Sequence, residues 1–382
     1  MGLGLVALVV AGGAAFEWQY RRRPGNALDL TYGSWYLDSF TPQHYRLVGE
    51  MELVNQTRSL EIMVPEIEAK TKLLSGQNLE GVTWKTQITA VHPDMDTRRD
   101  NYWFAYIVKV GKRTSLKITV EINGDDLTAL KSAWVRVNYV TYGPQGRIAK
   151  TRHVVVPLKF PQAEQLPPWR ATETAQIRPI PTHLLTALDS PSEIVKRYVS
   201  DQAQPGDVVT IGETPIAIMQ GRMQHPSEIK PGWLARRICY FFLPTSSLAT
   251  ACGLQALVDI SGAWRVAFAF IGGSIARVFG HRGGFYQLAG EQARLIDDVT
   301  GTLPPYDQFI VLGPKNPQQV VDQVQQETGL ACAIVDVNDL RRVKVLASSS
   351  GVSEEFLMEA LRTNPAGNAD EQTPVVLLRP KT

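Results

Sequence analysis

The sequence predicts an α+β protein in which an all-β region precedes a mixed α/β region. Apolar and polar residues alternate with a period of two between 28 and 160, the signature of half-buried strands. The stretch 161–181 is polar and broken by Pro161, Pro167, Pro168, Pro179 and Pro181. From 182 to 382, helical periodicity and short apolar runs are interleaved, as they are where helices pack on a sheet. A chain of 382 residues has room for about two domains, and its 44% hydrophobic and 20% charged composition is that of a globular protein. Lys+Arg of 39 against Asp+Glu of 37 leaves a net charge of +2, without the basic excess of a nucleic-acid-binding protein, so no nucleic acid partner is expected.

The first element is an apolar N-terminal segment. Residues 2–16 carry no charge, Trp18 and Tyr20 follow, and Arg21-Arg22-Arg23 comes next. A membrane span needs about 20 residues. The segment reaches that length with Trp18 and Tyr20 at the interface. No basic residue precedes the apolar stretch, unlike a cleaved signal peptide. Residues 1–24 are therefore expected to anchor the chain in a membrane through 2–20, with the remainder held on the cytoplasmic side by the arginines. The three cysteines, Cys239, Cys252 and Cys332, have no metal-like spacing and read as reduced thiols.

The second element, 28–160, reads as a β-sandwich. Alternation is plain in Tyr45-Arg46-Leu47-Val48-Gly49-Glu50-Met51-Glu52-Leu53, in Leu116-Lys117-Ile118-Thr119-Val120-Glu121-Ile122 and in Trp134-Val135-Arg136-Val137-Asn138-Tyr139-Val140. Turns at Gly111-Lys112, Asn123-Gly124 and Gly143-Pro144 separate the runs, a pattern of immunoglobulin-like type. Through Leu53-Val54-Asn55-Gln56-Thr57-Arg58 the segment 53–74 also resembles the sandwich domains of late-embryogenesis-abundant proteins. His44, His92 and His153 are scattered and form no catalytic group. A spacer or a module that contacts a membrane protein is the role expected here.

The linker 161–181 leads into a domain over 182–382. Ser190, Pro191 and Glu193 form a capping box ahead of a helix whose Ile194, Val195, Tyr198 and Val199 share a face. A strand over 207–211 and a second over 216–219 follow, then helix over 234–242, strand over 309–312, helix over 318–328, strands over 331–335 and 343–346, helix over 353–362 and a last strand over 375–378. Residues 248–279 are nearly all apolar and read as a core helix pair, with Asp259 and Arg265 exposed or paired; a segment that dips into a lipid monolayer is the other reading.

Acidic groups and glycines mark the chemistry. Asp297-Asp298 lies beyond the turn His281-Arg282-Gly283-Gly284, and the apolar run 331–335 delivers Asp336, Asn338 and Asp339. Carboxylates suit Mg²⁺ or Mn²⁺, and bare backbone N–H groups suit phosphate oxygens. Glu213 reads as a general base or as a turn carboxylate, and plainer readings stand beside the others: a solvated turn for Asp297-Asp298, an Asx-turn for Asp336 and a helix-ending turn for 281–284.

Over 177–380 the chain resembles the gamma-glutamyl ligases of coenzyme F(420). The likeness lies in Ile177-Arg178-Pro179-Ile180-Pro181, Gln204-Pro205-Gly206-Asp207-Val208-Val209, Ile216-Ala217-Ile218-Met219-Gln220-Gly221-Arg222, and His281 with Gly284-Phe285, Ala289-Gly290 and Ile296-Asp297. It continues in Leu312-Gly313-Pro314-Lys315-Asn316-Pro317 and Ala333-Ile334-Val335-Asp336. The resemblance implies an α/β ligase domain that binds GTP or ATP with Mg or Mn and joins L-glutamate to a small-molecule carboxylate. It implies metal at Asp297 or Asp298 together with Asp336, and nucleotide near Gly212, Glu213, Arg222, His281, Arg282, Gly283 and Gly284. The chain departs from the pattern where Glu213-Thr214-Pro215 replaces Ser-Lys, where Val299-Thr300-Gly301 replaces Ser-Asn, and where 291–295 lengthens a motif. Those departures imply the alternative, a non-catalytic, membrane-tethered binding or assembly protein.

Overall fold

The computed structural model describes residues 2–22, 26–143, 146–162, 166–244, 246–281, 283–296, 303–337, 342–367 and 371–381. The chain divides into two compact units. One contains Met1–Lys72, Asn78–Thr128 and Val135–Val154; the other contains Leu73–Gln77, Ala129–Trp134 and Val155–Thr382.

The first unit begins with helix α1 (Gly2–Arg22). Strands β1 (Leu28–Leu30), β2 (Ser34–Thr41), β3 (His44–Asn55), β4 (Ile62–Ser75), β5 (Thr83–Val91), β6 (Tyr106–Val108), β7 (Arg113–Asn123), β8 (Leu130–Gly143) and β9 (Gly146–Pro157) then build an antiparallel sandwich. Among the described residues one sheet runs β1-β3-β7-β5, with β2 also on β3, and the other runs β6-β4-β8-β9. The expected alternation is borne out: Leu47, Met51, Leu53, Leu116, Ile118, Val120 and Ile122 are buried while Arg46, Glu50, Glu52, Lys117, Thr119 and Glu121 are not. The Tyr139 hydroxyl accepts from the Leu30 N–H at 3.3 Å, a bond between the two sheets.

The stretch 53–58 is a local polar knot. Asn55 Nδ2 donates to the Leu60 and Val108 carbonyls at 2.8 and 2.9 Å, and its Oδ1 accepts from the Thr57 N–H and hydroxyl. Both side chains are buried. Asn55→Ala would strand these partners, so a loss of about 2 kcal/mol is expected in urea unfolding; a loss below about 0.5 kcal/mol would show that water replaces the side chain.

The second unit contains β10 (Arg170–Ala171), β11 (Ala175–Ile180), α2 (Pro191–Tyr198), β12 (Val208–Gly212), α3 (Glu213–Met219), β13 (Met223–Gln224), α4 (Trp233–Ile238), α5 (Ala251–Ser261), α6 (Ala263–Val278), α7 (Gly284–Ala289), β14 (Ile310–Val311), α8 (Pro317–Thr328), β15 (Ala331–Val337), β16 (Val343–Ser348), α9 (Glu354–Ala360) and β17 (Val375–Pro380). Its main sheet runs β10-β11-β17-β12-β15-β16, in which β12 and β15 are parallel and the other pairs antiparallel. Both faces are covered. Val209, Ile211, Cys332 and Ile334 pack with residues of α2 and α8, while Val208, Ala333 and Val335 pack with Leu357 and Ala360 of α9. Burial on both faces explains why these strands read as continuous apolar runs. The three thiols are free, and burial pushes that of Cys332 up to about 12.

Two expectations are corrected here. Residues 216–219 form the end of helix α3, not a strand: Pro215 lies in its first turn, and Ile216 and Met219 face one core cluster while Ala217 and Ile218 face another. A short apolar run bounded by glycines fits either element, and packing on two sides selects the helix. Within the segment expected as a linker, 175–180 is strand β11, bonded along β17. Ala175 and Ile177 are buried by the sheet, and Pro179 falls beyond the two residues that β10 covers, where a missing N–H is tolerated.

Among the described residues no single helix is long and apolar enough to cross a membrane. The pair α5–α6 passes by length and composition only together, and it is bent by 113°. Residues 248–279 form a helix pair as expected, but not a core one, because Trp264, Phe268, Ile271, Ile275 and Val278 of α6 are exposed; Gln255 Nε2 donates to Asp259 at 2.7 Å and Arg265 Nε to the Leu288 carbonyl at 3.1 Å.

Candidate functional site

Strands β12 and β15 run parallel from Val208↔Ala331 to Gly212↔Val335. Glu213 and Asp336 each stand one residue past that last pair, so the register alone makes them neighbours. The sequence placed Asp336 at a strand end and Glu213 in a turn, but nothing local in it paired the two. The ends of adjacent parallel strands are where ligands collect in open α/β sheets.

A cavity of about 760 Å³ opens there. Gly212, Glu213, Thr214, Asp336, Arg294, His183, Tyr306 and Thr373 are among its walls. Gly212 donates its N–H to the Pro374 carbonyl at 3.1 Å, closing the side toward β17. A Cβ on Gly212 would sit 3.2 Å from Pro215 Cδ, so the strand-to-helix turn is tight. Glu213 is 8% exposed. Burial raises the Asp336 carboxyl above its ordinary value, and the positive charge of Lys344, its cross-strand partner on β16, pulls in the other direction. Lys344 Nζ is itself bonded to Glu291 Oε1 at 2.9 Å.

His183 and Arg294 were not singled out by sequence reasoning. His183 is fixed as a wall: Nδ1 lies 2.6 Å from the Tyr198 hydroxyl and Nε2 3.0 Å from Asp189 Oδ1, whose other oxygen accepts from the Thr186 N–H. Tyr306 donates its hydroxyl to the Leu185 carbonyl at 2.9 Å. Arg294 is exposed and, among the described lining residues, supplies the cationic side chain. No local motif marks it. Among the described residues no group of three or more His, Cys, Asp or Glu is placed to hold a metal ion.

The other residues named from the sequence go elsewhere. Asp297, Asp298 and Arg282 lie outside the described residues. Arg222 is half-buried, its Nε donating to the Gly313 carbonyl at 2.6 Å and its Nη2 to Gln292 Oε1 at 3.3 Å; desolvation lowers its pKa. It ties the β13–β14 region together and does not line the cavity. His281, Gly283 and Gly284 also lie off the cavity lining. They join α6 to α7, where the helices approach through glycine: a Cβ on Gly273 would sit 2.6 Å from the Phe285 nitrogen, and one on Gly284 3.1 Å from Ala276 Cβ. Gly284 thus has a packing reason, whereas Gly283 has open space beside it and supplies the turn's φ of 86°. Gly273→Ala is expected to cost about 3 kcal/mol, because backbone must move to admit the methyl group; a melting temperature equal to the parent's would overturn that account.

The sandwich decides what the chain is similar to. Residues 29–160 match the F420-0:gamma-glutamyl ligase N-terminal Ig-like domain. The match spans about a third of the chain and covers the sandwich. No curated protein matches the chain. Among solved structures, the GAE domain of yeast GGA1 aligns at 11% identity over 36% of this chain and 96% of its own, with a TM-score of 0.20. A family 123 glycoside hydrolase from Clostridium perfringens aligns at 9% identity over 36% of this chain and 29% of its own, with a TM-score of 0.18. Scores this low carry no argument about fold or function.

Proposed function

We propose that this chain is a membrane-anchored, cytoplasm-facing, gamma-glutamyl-ligase-like protein whose second unit uses GTP or ATP with Mg²⁺ or Mn²⁺ to join L-glutamate to a carboxylate acceptor. The observation that carries the reading is the juxtaposition of Glu213 and Asp336 at the ends of adjacent parallel strands, on a cavity of about 760 Å³. The ligase-type Ig-like domain in the same chain supports it. A carboxylate and an amine do not condense in water at neutral pH without activation, so the reaction needs a triphosphate.

The donor set suits a hard cation: two carboxylates from fixed strand ends, with coordination completed by water and phosphate, as Mg²⁺ prefers. Glu213 and Asp336 would hold the ion, which would supply charge neutralisation for phosphate. Arg294 faces the cavity as a charge partner for phosphate oxygens. Buried Tyr306 and His183 keep one wall rigid, which favours orientation of the acceptor over its adaptation.

The anchor reading rests on the uncharged, apolar stretch 2–16 of α1, although that helix by itself is not long and apolar enough to cross a bilayer. Val6, Leu8, Val9, Val10 and Phe16 of the helix are exposed. Resistance of the membrane-bound chain to alkaline extraction, lost on deleting 2–22, would support this placement; unchanged resistance would overturn it.

A second reading is favoured by one observation. Glu213-Thr214 stands where the ligases carry Ser-Lys, and no lysine is among the described lining residues. On that reading the cavity is a relic and the chain a tethered assembly protein, with the sandwich contacting a membrane-protein partner. Calorimetry with Mn²⁺ followed by GTP or ATP, together with glutamate-dependent phosphate release, tests both. Heat and release are expected for the ligase; heat without release at millimolar substrates would leave the scaffold, and neither would remove the cation site.

A further inference from the structure

We infer that the outer faces of α4 and α6 form a surface that inserts into the headgroup layer of an anionic phospholipid bilayer. On α6, Trp264, Phe268, Ile271, Ile275 and Val278 are 90%, 67%, 60%, 55% and 84% exposed. Their spacing of four, three, four and three residues makes them one stripe along the helix. The opposite stripe, Val266, Ala269 and Gly273, is buried in the helical cluster of the second unit. Trp233 on α4 and Tyr240, Phe241 and Leu243 just after it are exposed as well. The Phe241 ring meets edge to face, at 5.2 Å, that of Phe270, a partly buried residue of α6 packed on the helical cluster, which brings the two groups close together. An apolar stripe of this size on a helix already packed on its other side is a mark of a binding surface.

Charge and residue type point to lipid. Arg236, Arg237, Arg265 and Arg277 are exposed along the same helices. Across 233–279 the one acidic residue is Asp259, which is bonded to Gln255. The Arg237 guanidinium lies 4.4 Å above the Trp233 ring, holding charge beside an aromatic of the kind enriched at the membrane interface. A symmetric pairing of two copies would set these arginines against one another, whereas anionic headgroups neutralise them. The geometry also says that the surface lies on the bilayer and does not cross it. The sixteen residues of α6 cover about 24 Å, short of the roughly 30 Å core, and α5 turns away by 113° with Leu254, Ala256 and Leu257 buried.

The test uses the full chain and vesicles of phosphatidylglycerol and phosphatidylcholine that carry a photoactivatable diazirine on an acyl chain. Labelled peptides are identified by mass spectrometry. Label is expected on 233–243 and 264–279, falling about tenfold on pure phosphatidylcholine. Label on 2–22 reports the N-terminal helix separately, so failure of one membrane contact is distinguishable from failure of the other. Trp264→Ser/Phe268→Ser should remove about nine-tenths of the label at 264–279, lower the label on 233–243 of the same surface, and leave label on 2–22 unchanged. Both side chains point outward, and an unaltered thermal melt confirms that the fold persists. Label confined to 2–22, or crosslinking of 233–279 to a co-purifying protein in place of lipid, would overturn the inference. Equal label on neutral vesicles would overturn the requirement for anionic headgroups.

Discussion

Arg379→Leu is expected to destabilise the second unit by about 3 kcal/mol. The Asp207 side chain is 2% exposed, and Arg379 meets both of its oxygens, Nε to Oδ1 at 3.0 Å and Nη2 to Oδ2 at 2.8 Å. The same guanidinium donates to the Gln202 carbonyl at 3.3 Å and lies 4.5 Å over the Trp169 ring, whose other neighbour is Arg178 at 4.6 Å. Removing the cation leaves a buried carboxylate with the Gln204 N–H as its remaining charge-stabilising contact. Loss of one partner of a buried pair costs about 3–5 kcal/mol, and the lower end applies because Arg379 is 24% exposed. Urea unfolding measures the cost directly. Adding Asp207→Asn to Arg379→Leu should recover part of it, since the stranded charge is then gone. A single-variant cost below about 1 kcal/mol would mean that water reaches Asp207 and that the pair behaves like a surface salt bridge.

Asp336→Asn is expected to weaken Mn²⁺ binding by about tenfold to a hundredfold while raising the melting temperature at neutral pH. A site of two carboxylates loses half its anionic charge in this variant, and oxygen-ligand sites change affinity by decades with charge count. The stability gain follows from the raised Asp336 pKa, whose main cause is burial. The folded chain then holds the proton more tightly than the unfolded chain does. Protonation therefore stabilises the fold; that contribution is fully present below the unfolded value of 3.8 and is lost as pH rises through the higher folded value. The Asn variant should gain stability over the parent at neutral pH and show no gain below pH 3.8. Cation binding by the parent should strengthen as pH rises through the same range, because proton and metal compete for one carboxylate. Glu213→Gln should weaken Mn²⁺ to a similar degree. If neither substitution changes the calorimetric Mn²⁺ isotherm, the acidic pair is not the cation site, whatever the stability curves show.

Much of the scaffold was legible because short-range periodicity and capping are local properties. The alternation from Tyr45 to Leu53 and from Leu116 to Ile122 became β3 and β7, buried on every second residue. Ser190 accepts from the Glu193 N–H at 3.3 Å as the capping box requires, although the Glu193 carboxylate turns instead to Lys196 at 3.0 Å. The run from Ala331 became β15 and placed Asp336 at its end. Local signals failed where two answers share one pattern. Ile216-Ala217-Ile218-Met219 suits a strand or a helix, and the proline-rich approach to Ile180 suits a linker or an edge strand. In both places the neighbouring elements made the choice, by offering a core on two sides or a free sheet edge.

The site divides in the same way. The sequence put Asp336 at a strand end and Glu213 in a turn, the latter singled out through the ligase resemblance, and it gave no reason to seat one beside the other. The parallel register of β12 on β15 does that, through backbone bonds between segments far apart in the chain. Of the glycines near 281–284, read from sequence as a turn with a phosphate cradle as the alternative, Gly284 packs α7 onto α6 where a Cβ would sit 3.1 Å from Ala276 Cβ, while Gly283 serves the turn itself through its φ of 86°. The amino-acid order by itself determined most of the local elements, the two-part α+β organisation and the place of Asp336 at a strand end, since these depend on period, caps and composition. Only the tertiary structure decided which of those residues share a cavity and which apolar residues of α6 stay uncovered, because both depend on long-range packing that no local pattern specifies.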